Sequence, residues 1–226
     1  MKSICKKKIK VFLVFIFFSF SVTGSLASVV MKGYPAFMLV NYSEAIIRGV
    51  LRSSAPVSEA NDCFERIAYI HVESVMNGSL KEGQDVAVLY SGERLVNGQK
   101  YLFLIAKSSI DALSKNCASK IKANVSNANR YVYLLPKSAR SAYELISDAA
   151  GMGGEGFLLP SCEEKRESIF ADGNYSFEDI DVSGFPRYKG CSLKFGVTKI
   201  LEERIKYLLN LNRKDNRDNR GQTTIN

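Results

Sequence analysis

The reactive side chains of this sequence fall into four groups: one histidine, His71; a glycine-rich run, Gly151-Met152-Gly153-Gly154-Glu155-Gly156; acids from Glu163 and Glu164 through Asp172 to Asp181; and five cysteines. As a general base, His71 would have to activate a serine or cysteine and be oriented by an acid. It stands between Tyr69 and Glu73 in an alternating run, and no G-x-S-x-G elbow accompanies it. The pattern makes it a sheet-surface histidine, with base catalysis the lesser reading. The glycines would cradle a phosphate only if a Gly-Lys-Ser/Thr sequence opened a helix after a strand. Here they follow a helix-like stretch and lead into Phe157-Leu158-Leu159-Pro160, which is where a helix ends in a turn. A calcium loop begun at Asp172 places Asn174 and Ser176 well, but it puts Phe177 where glycine is needed and Ser183 where glutamate is needed. A solvated acidic loop remains. Glu163 and Glu164 are neighbours in sequence, so nothing requires them to converge on one substrate as a hydrolytic pair must. No catalytic, cofactor-binding or metal-binding residue is assigned, and no cofactor is expected.

What the cysteines do depends on the compartment, and the N-terminus specifies one. Lys2, Lys6, Lys7, Lys8 and Lys10 form a basic head, Val11 to Val22 an apolar core, and Ser25-Leu26-Ala27 a small-residue exit. That order is a secretory signal peptide over residues 1–27. Its apolar core is about a dozen residues, short of the roughly 20 that span a bilayer. The expected location is therefore periplasmic or secreted, with no transmembrane anchor after cleavage. Cys5 leaves with the signal. Cys63, Cys117, Cys162 and Cys191 remain, and an oxidising compartment makes two disulfides of them in one of three connectivities. Cys63–Cys117 with Cys162–Cys191 is favoured, because each pair then staples one region. A metal site would need more than one histidine or a C-x-x-C spacing.

Export also changes how the charge is read. The whole chain carries 31 basic and 23 acidic residues, a net +8. Without the five signal lysines it carries +3, and the last fifteen residues account for +2 of that. The body is nearly neutral, and the basic folded surface of a nucleic-acid-binding protein is missing.

Five runs read as strands: Ala45 to Ser54, Arg66 to Met76, Asp85 to Tyr90, Lys100 to Ala106 and Tyr131 to Leu135. In the second, Ala68, Ile70 and Val72 alternate with Ile67, Tyr69 and His71, while the fourth, KYLFLIA, is apolar on both faces. Asn77-Gly78 and Asn97-Gly98 mark turns. Short strands with such turns form a small antiparallel barrel or sandwich. Beyond Pro136 the pattern predicts a helix over 138–150, an irregular stretch from Leu158 to Gly190, and a second helix over 198–211. Ile200, Leu201, Ile205, Leu208 and Leu209 make the second helix's apolar stripe, with Glu202 and Lys206 one turn apart. The tail from Asn212 has almost nothing to bury and is expected to be disordered.

Residues 43–106 resemble the extracytoplasmic netrin-like, or TIMP-like, family. The likeness rests on Val75-Met76-Asn77-Gly78 at a V-x-K-G turn, on Lys81-Glu82-Gly83-Gln84-Asp85-Val86, and on Gly98-Gln99-Lys100-Tyr101-Leu102-Phe103-Leu104 at a G-x-x-Y-L-x-F-L strand. Asn77 replaces the usual lysine. The resemblance implies a five-stranded OB-type barrel, with Cys117 placed where bacterial relatives often have a cysteine. Animal TIMPs chelate a metalloproteinase zinc through an N-terminal cysteine. A mature chain starting at Ser28 has no cysteine before Cys63, so that mechanism does not carry over.

The expected fold is thus mainly β with α: an OB/netrin-like barrel over 28–136, a helical, disulfide-bracketed appendage over 137–211, and the tail 212–226. The expected function is a non-catalytic binding module for a protein or glycan of the cell envelope, with no nucleic-acid partner. The alternatives are a hydrolase of envelope polymers, or an inhibitor of a secreted protease that does not use an N-terminal cysteine.

Overall fold

The computed structural model describes residues 36–57, 63–92, 95–124, 131–136, 140–147, 154–163, 168–170 and 175–221. The expected signal peptide lies outside them. The five expected strands form as β1 (Ala45–Pro56), β2 (Arg66–Gly78), β3 (Asp85–Tyr90), β4 (Lys100–Ser109) and β5 (Tyr131–Leu134). They run in the order β1-β2-β3-β5-β4, and β4 returns to β1, so the sheet closes into an OB-type barrel. One seam departs from the expected antiparallel pairing: Val88 and Leu89 of β3 meet Tyr133 and Leu134 of β5 in parallel, because the long connection through β4 and the following helix brings the chain back in the same direction.

Closure depends on β1 serving two partners along one stretch. Ala45 lies opposite Gly78 and Ile105, and Val50 lies opposite His71 and Lys100. Register shifts after Ile46, Arg48 and Leu51 bend β1 around the barrel, as bulges do. Side-chain alternation then fills the inside. Ala68, Ile70 and Val72 of β2 meet Ile47, Val88, Tyr101 and Phe103 there. Leu102 and Leu104 point outward but are equally buried, beneath helices, which accounts for the two-faced apolar run.

Among the described residues three α-helices cover the outside: α1 (Ala36–Tyr42), α2 (Lys115–Asn124) and α3 (Thr198–Gly221). The expected stripe of α3 packs as Leu201, Ile205 and Leu208 on Ile46, Leu102 and Leu104 of the barrel and on Phe157. Glu202 is turned towards Arg48, 3.5 Å away. The helix continues through Gly221, which corrects the expectation of a disordered tail from Asn212; residues 222–226 lie outside the described residues. Neither α1 nor α2 was expected from the sequence pattern.

The larger correction lies past Pro136. The helix expected over 138–150 is instead strand β6 (Ala142–Ser147). It joins β7 (Glu155–Pro160), β8 (Glu178–Ile180) and β9 (Leu193–Val197) in a second sheet of order β6-β7-β9-β8, continuous with the barrel through β4. The physical reason is the edge of β4. β5 is four residues long and covers only Ala106 to Ser109, leaving Lys100 to Phe103 in need of a partner. β6 supplies it, pairing Lys100 with Leu145 and Phe103 with Ala142. Tertiary pairing here overrides helix propensity. The appendage is therefore a sheet capped by one helix.

The cysteines pair as favoured. Cys63–Cys117 has an S–S distance of 2.07 Å and Cys162–Cys191 one of 2.06 Å.

Candidate functional site

OB-type barrels usually meet ligands on the outer face of β2 and β3 and on the loops beside it. In this chain much of that face is closed. Cys63 lies in the β1–β2 connection and Cys117 in α2, within the β4–β5 connection, so their disulfide ties the two connections together. Around the staple, Phe64, Ile110 and Ile121 bury themselves against Ile67 of β2 and Leu89 of β3. A chain laid across this face would first have to displace α2.

The open remainder of the face holds His71. The residue pairs across the strands with Asp85, and its Nδ1 lies 2.8 Å from Asp85 Oδ1. The two side chains are 30% and 68% exposed. An acid-oriented histidine is part of a nucleophilic triad, but the four described cysteines are held in disulfides.

A cleft of about 760 Å³ opens elsewhere, at the seam where the start of β4 parts from the end of β6. Gln99 and Lys100 form one wall, Glu144 to Ser147 and Glu155 another, and Gly184, Phe185 and Arg187 a third. Gln99 bridges the seam, its Nε2 donating to the Leu145 carbonyl at 3.1 Å. Glu144 is the unusual member, a carboxylate only 3% exposed. Its burial is tolerated because it is matched: Arg187 forms an ion pair with it, and Tyr188 Oη donates to its Oε2 at 2.8 Å. The Arg187 guanidinium also lies 5.1 Å from the centre of the Tyr188 ring.

The second carboxylate, Glu155, is held by Arg48 of β1, which also reaches Glu202 of α3. Lys100 pairs with Glu73 at 3.0 Å. Two carboxylates in one cleft raise the possibility of hydrolysis, and the register argues against it. Ser147 lies opposite Glu155, and Leu145 opposite Phe157. Paired residues share a face and alternate residues do not, so Glu155 and Glu144 leave the sheet on opposite faces. A hydrolytic pair must flank one bond.

No family model, curated protein or solved structure matches this chain. The geometry alone therefore places the residues singled out from sequence. In the glycine-rich run, 151–153 lie outside the described residues, while Glu155 and Gly156 belong to β7. In the acidic stretch, 164 and 171–174 lie outside them, Glu163 ends a 3₁₀ turn, and Glu178 and Asp179 lie on edge strand β8. Asp181 caps the 3₁₀ turn Val182–Gly184, accepting from the Ser183 backbone N–H at 3.0 Å. Among the described residues no group of three or more His, Cys, Asp or Glu is gathered as a metal site would require. The same residues include no helix long and apolar enough to cross a membrane.

The cleft is not legible in the sequence because its residues come from four separated segments. One signal was present: Glu144 sits inside Ala142-Tyr143-Glu144-Leu145-Ile146, a charge in an otherwise apolar run.

Proposed function

We propose that this chain is an exported, periplasmic or secreted binding module that recognises a protein or glycan of the cell envelope without transforming it. The observation that carries the reading is the seam cleft, whose polar lining residues are each held by a partner. Gln99 is fixed to Leu145, Glu144 to Arg187 and Tyr188, and Glu155 to Arg48. Such preorganisation favours recognition, because little ordering remains to be done on binding. His71 is not among the residues lining the cleft, which separates the candidate base from the candidate ligand site. The closed β2–β3 face and the nearly neutral body disfavour single-stranded nucleic acid as the partner. Export is supported by the N-terminal sequence and by the two cysteine pairs at disulfide distance. Membership of the netrin-like family belongs to the same proposal and rests on residues 43–106.

The test is equilibrium binding of the purified chain to fractionated envelope material, run beside assays for release of soluble products. Saturable retention without product release is expected. Turnover that disappears in a folded His71→Ala variant would replace this reading with the hydrolase alternative.

A further inference from the structure

We infer that Cys162–Cys191 is a reversible thiol-exchange site, opened by a dithiol reductant while Cys63–Cys117 stays closed. What the cleft binds does not bear on this. Access makes the first distinction between the two bonds. Cys63 is 3% exposed and Cys117 1%, and both are packed among Phe64, Ile67, Leu89, Ile110 and Ile121. Cys191 is also buried, but Cys162 is exposed, at the middle of the 3₁₀ turn Ser161–Glu163. Exchange begins when a thiolate reaches one sulfur of the bond, so its rate follows access. Of the two bonds, the second alone presents an exposed cysteine.

The chemistry balances with one dithiol. Its first thiolate attacks Cys162 Sγ, a mixed disulfide forms there, and the electron pair of the broken S–S bond leaves on Cys191 Sγ. The dithiol's second thiolate then attacks its own sulfur in the mixed disulfide, and Cys162 leaves as a thiolate. The chain is reduced by two electrons and the dithiol is oxidised to a disulfide. The protons of the dithiol pass through water to the two cysteines.

The backbone makes the second distinction. Pro160 lies opposite Leu193 at the end of the β7–β9 ladder. One step further, the Ser161 N–H donates to the Ser192 carbonyl at 2.9 Å, and the Ser192 N–H donates to Ser161 Oγ at 2.8 Å. The cysteines take the next step, with their Cα atoms 5.1 Å apart. None of these hydrogen bonds passes through sulfur, so they keep the two thiols facing each other after reduction. Closure is then intramolecular and outruns pairing with a distant thiol.

What loosens is the adjoining loop. The Cys191 N–H donates to the Tyr188 carbonyl at 2.9 Å, and Tyr188 ends the 3₁₀ turn Pro186–Tyr188. Through Gly184, Phe185 and Arg187 the same loop forms one wall of the cleft. Reduction frees one end of that wall and leaves α2 stapled to the barrel.

A permanent staple is the rival reading. To separate the two, the oxidised chain is held without denaturant in dithiothreitol, quenched at intervals with iodoacetamide, and mapped by mass spectrometry. Cys162 and Cys191 should be alkylated together, at least about a hundredfold faster than Cys63 and Cys117, which react only when their cover opens. A parallel incubation with 2-mercaptoethanol, a neutral monothiol, should trap the mixed disulfide on Cys162. The half-reduced chain should keep its circular dichroism spectrum, and oxidised glutathione should restore Cys162–Cys191 without scrambled pairs. Resistance of both bonds to about 10 mM dithiothreitol overturns the inference. So do equal rates at the two bonds, trapping on Cys191, loss of the spectrum on selective reduction, or scrambled pairs on reoxidation.

Discussion

Glu144 shows how much one residue can require of its surroundings. Its carboxylate is buried in strand β6 and is tolerated there only because Arg187 and Tyr188 come to it from the loop between β8 and β9. Removing one partner of a buried pair leaves the other uncompensated, which typically costs about 3–5 kcal/mol. Arg187 is 27% exposed and can recover some hydration, so Glu144→Ala should lose about 3 kcal/mol in urea unfolding. A Glu144→Leu/Arg187→Met double variant should recover much of that loss, since an apolar pair has no charge to strand. If the double variant were as unstable as Glu144→Ala, the cost would lie in packing and not in charge. Asp181 shows the opposite, exposed case. The Ser183 hydroxyl and then its backbone N–H donate to the carboxylate and hold its pKa below the usual range. A folded-state pKa lower than the unfolded one means the cap helps above the ordinary carboxylate range and is lost as pH falls through the lowered value. An NMR titration of the Asp181 carboxyl should therefore find a midpoint below about 3.9, returning towards it in Ser183→Ala.

Elements in this molecule are decided by what lies beside them. Strands β2 and β3 carry alternation, and β1, β4 and β5 carry short apolar runs bounded by turn signals, strong enough to be read directly; the two-faced burial of β4 follows from its place between the barrel interior and α3. β6 fits a helical template equally well, with Ala142, Leu145, Ile146 and Ala149 at helical spacing. Only the unpaired start of β4 makes it a strand. β7 and β9 were illegible for a related reason. Their pairing relies on Gly156 and Gly196, which leave room for aromatic rings from the facing strand. A Cβ on Gly156 would fall 1.9 Å from the Phe195 ring, and one on Gly196 would fall 2.5 Å from the Phe157 ring. Gly156→Ala and Gly196→Ala should each destabilise by about 1–3 kcal/mol through overpacking. The measurement is a lowered urea midpoint with an unchanged m-value. No shift in either variant would mean that the rings can turn aside without loss.

At the scale of the whole molecule, two staples divide the labour. Cys63–Cys117 closes a separation of 54 residues and pins α2 to the barrel, while Cys162–Cys191 closes 29 and brackets the loop that delivers Arg187 and Tyr188. On the chain-entropy account, serine substitution of the first pair should cost about 4 kcal/mol and of the second about 3.5 kcal/mol. The two losses should differ in place more than in size. Hydrogen exchange in the Cys63→Ser/Cys117→Ser variant should quicken over Lys115–Asn124. In the Cys162→Ser/Cys191→Ser variant it should quicken around Pro186–Tyr188 and spare α2. Uniform quickening in both variants would show one cooperative unit instead of two stapled regions.

Residue type and spacing along the chain suffice for the five barrel strands, the apolar stripe of α3 and the supply of four cysteines for two disulfides, whose connectivity the fold settles. These are properties of local periodicity and of short-range order along the chain, which side-chain type alone expresses. Tertiary structure alone decided that 142–147 is a strand, that α2 and a disulfide close the usual OB face, and that Gln99, Glu144 and Arg187 share a cleft. Each of those depends on a partner far away in sequence: an unpaired strand edge, an apolar surface needing cover, a buried charge needing its opposite. Periodicity carries no record of such partners.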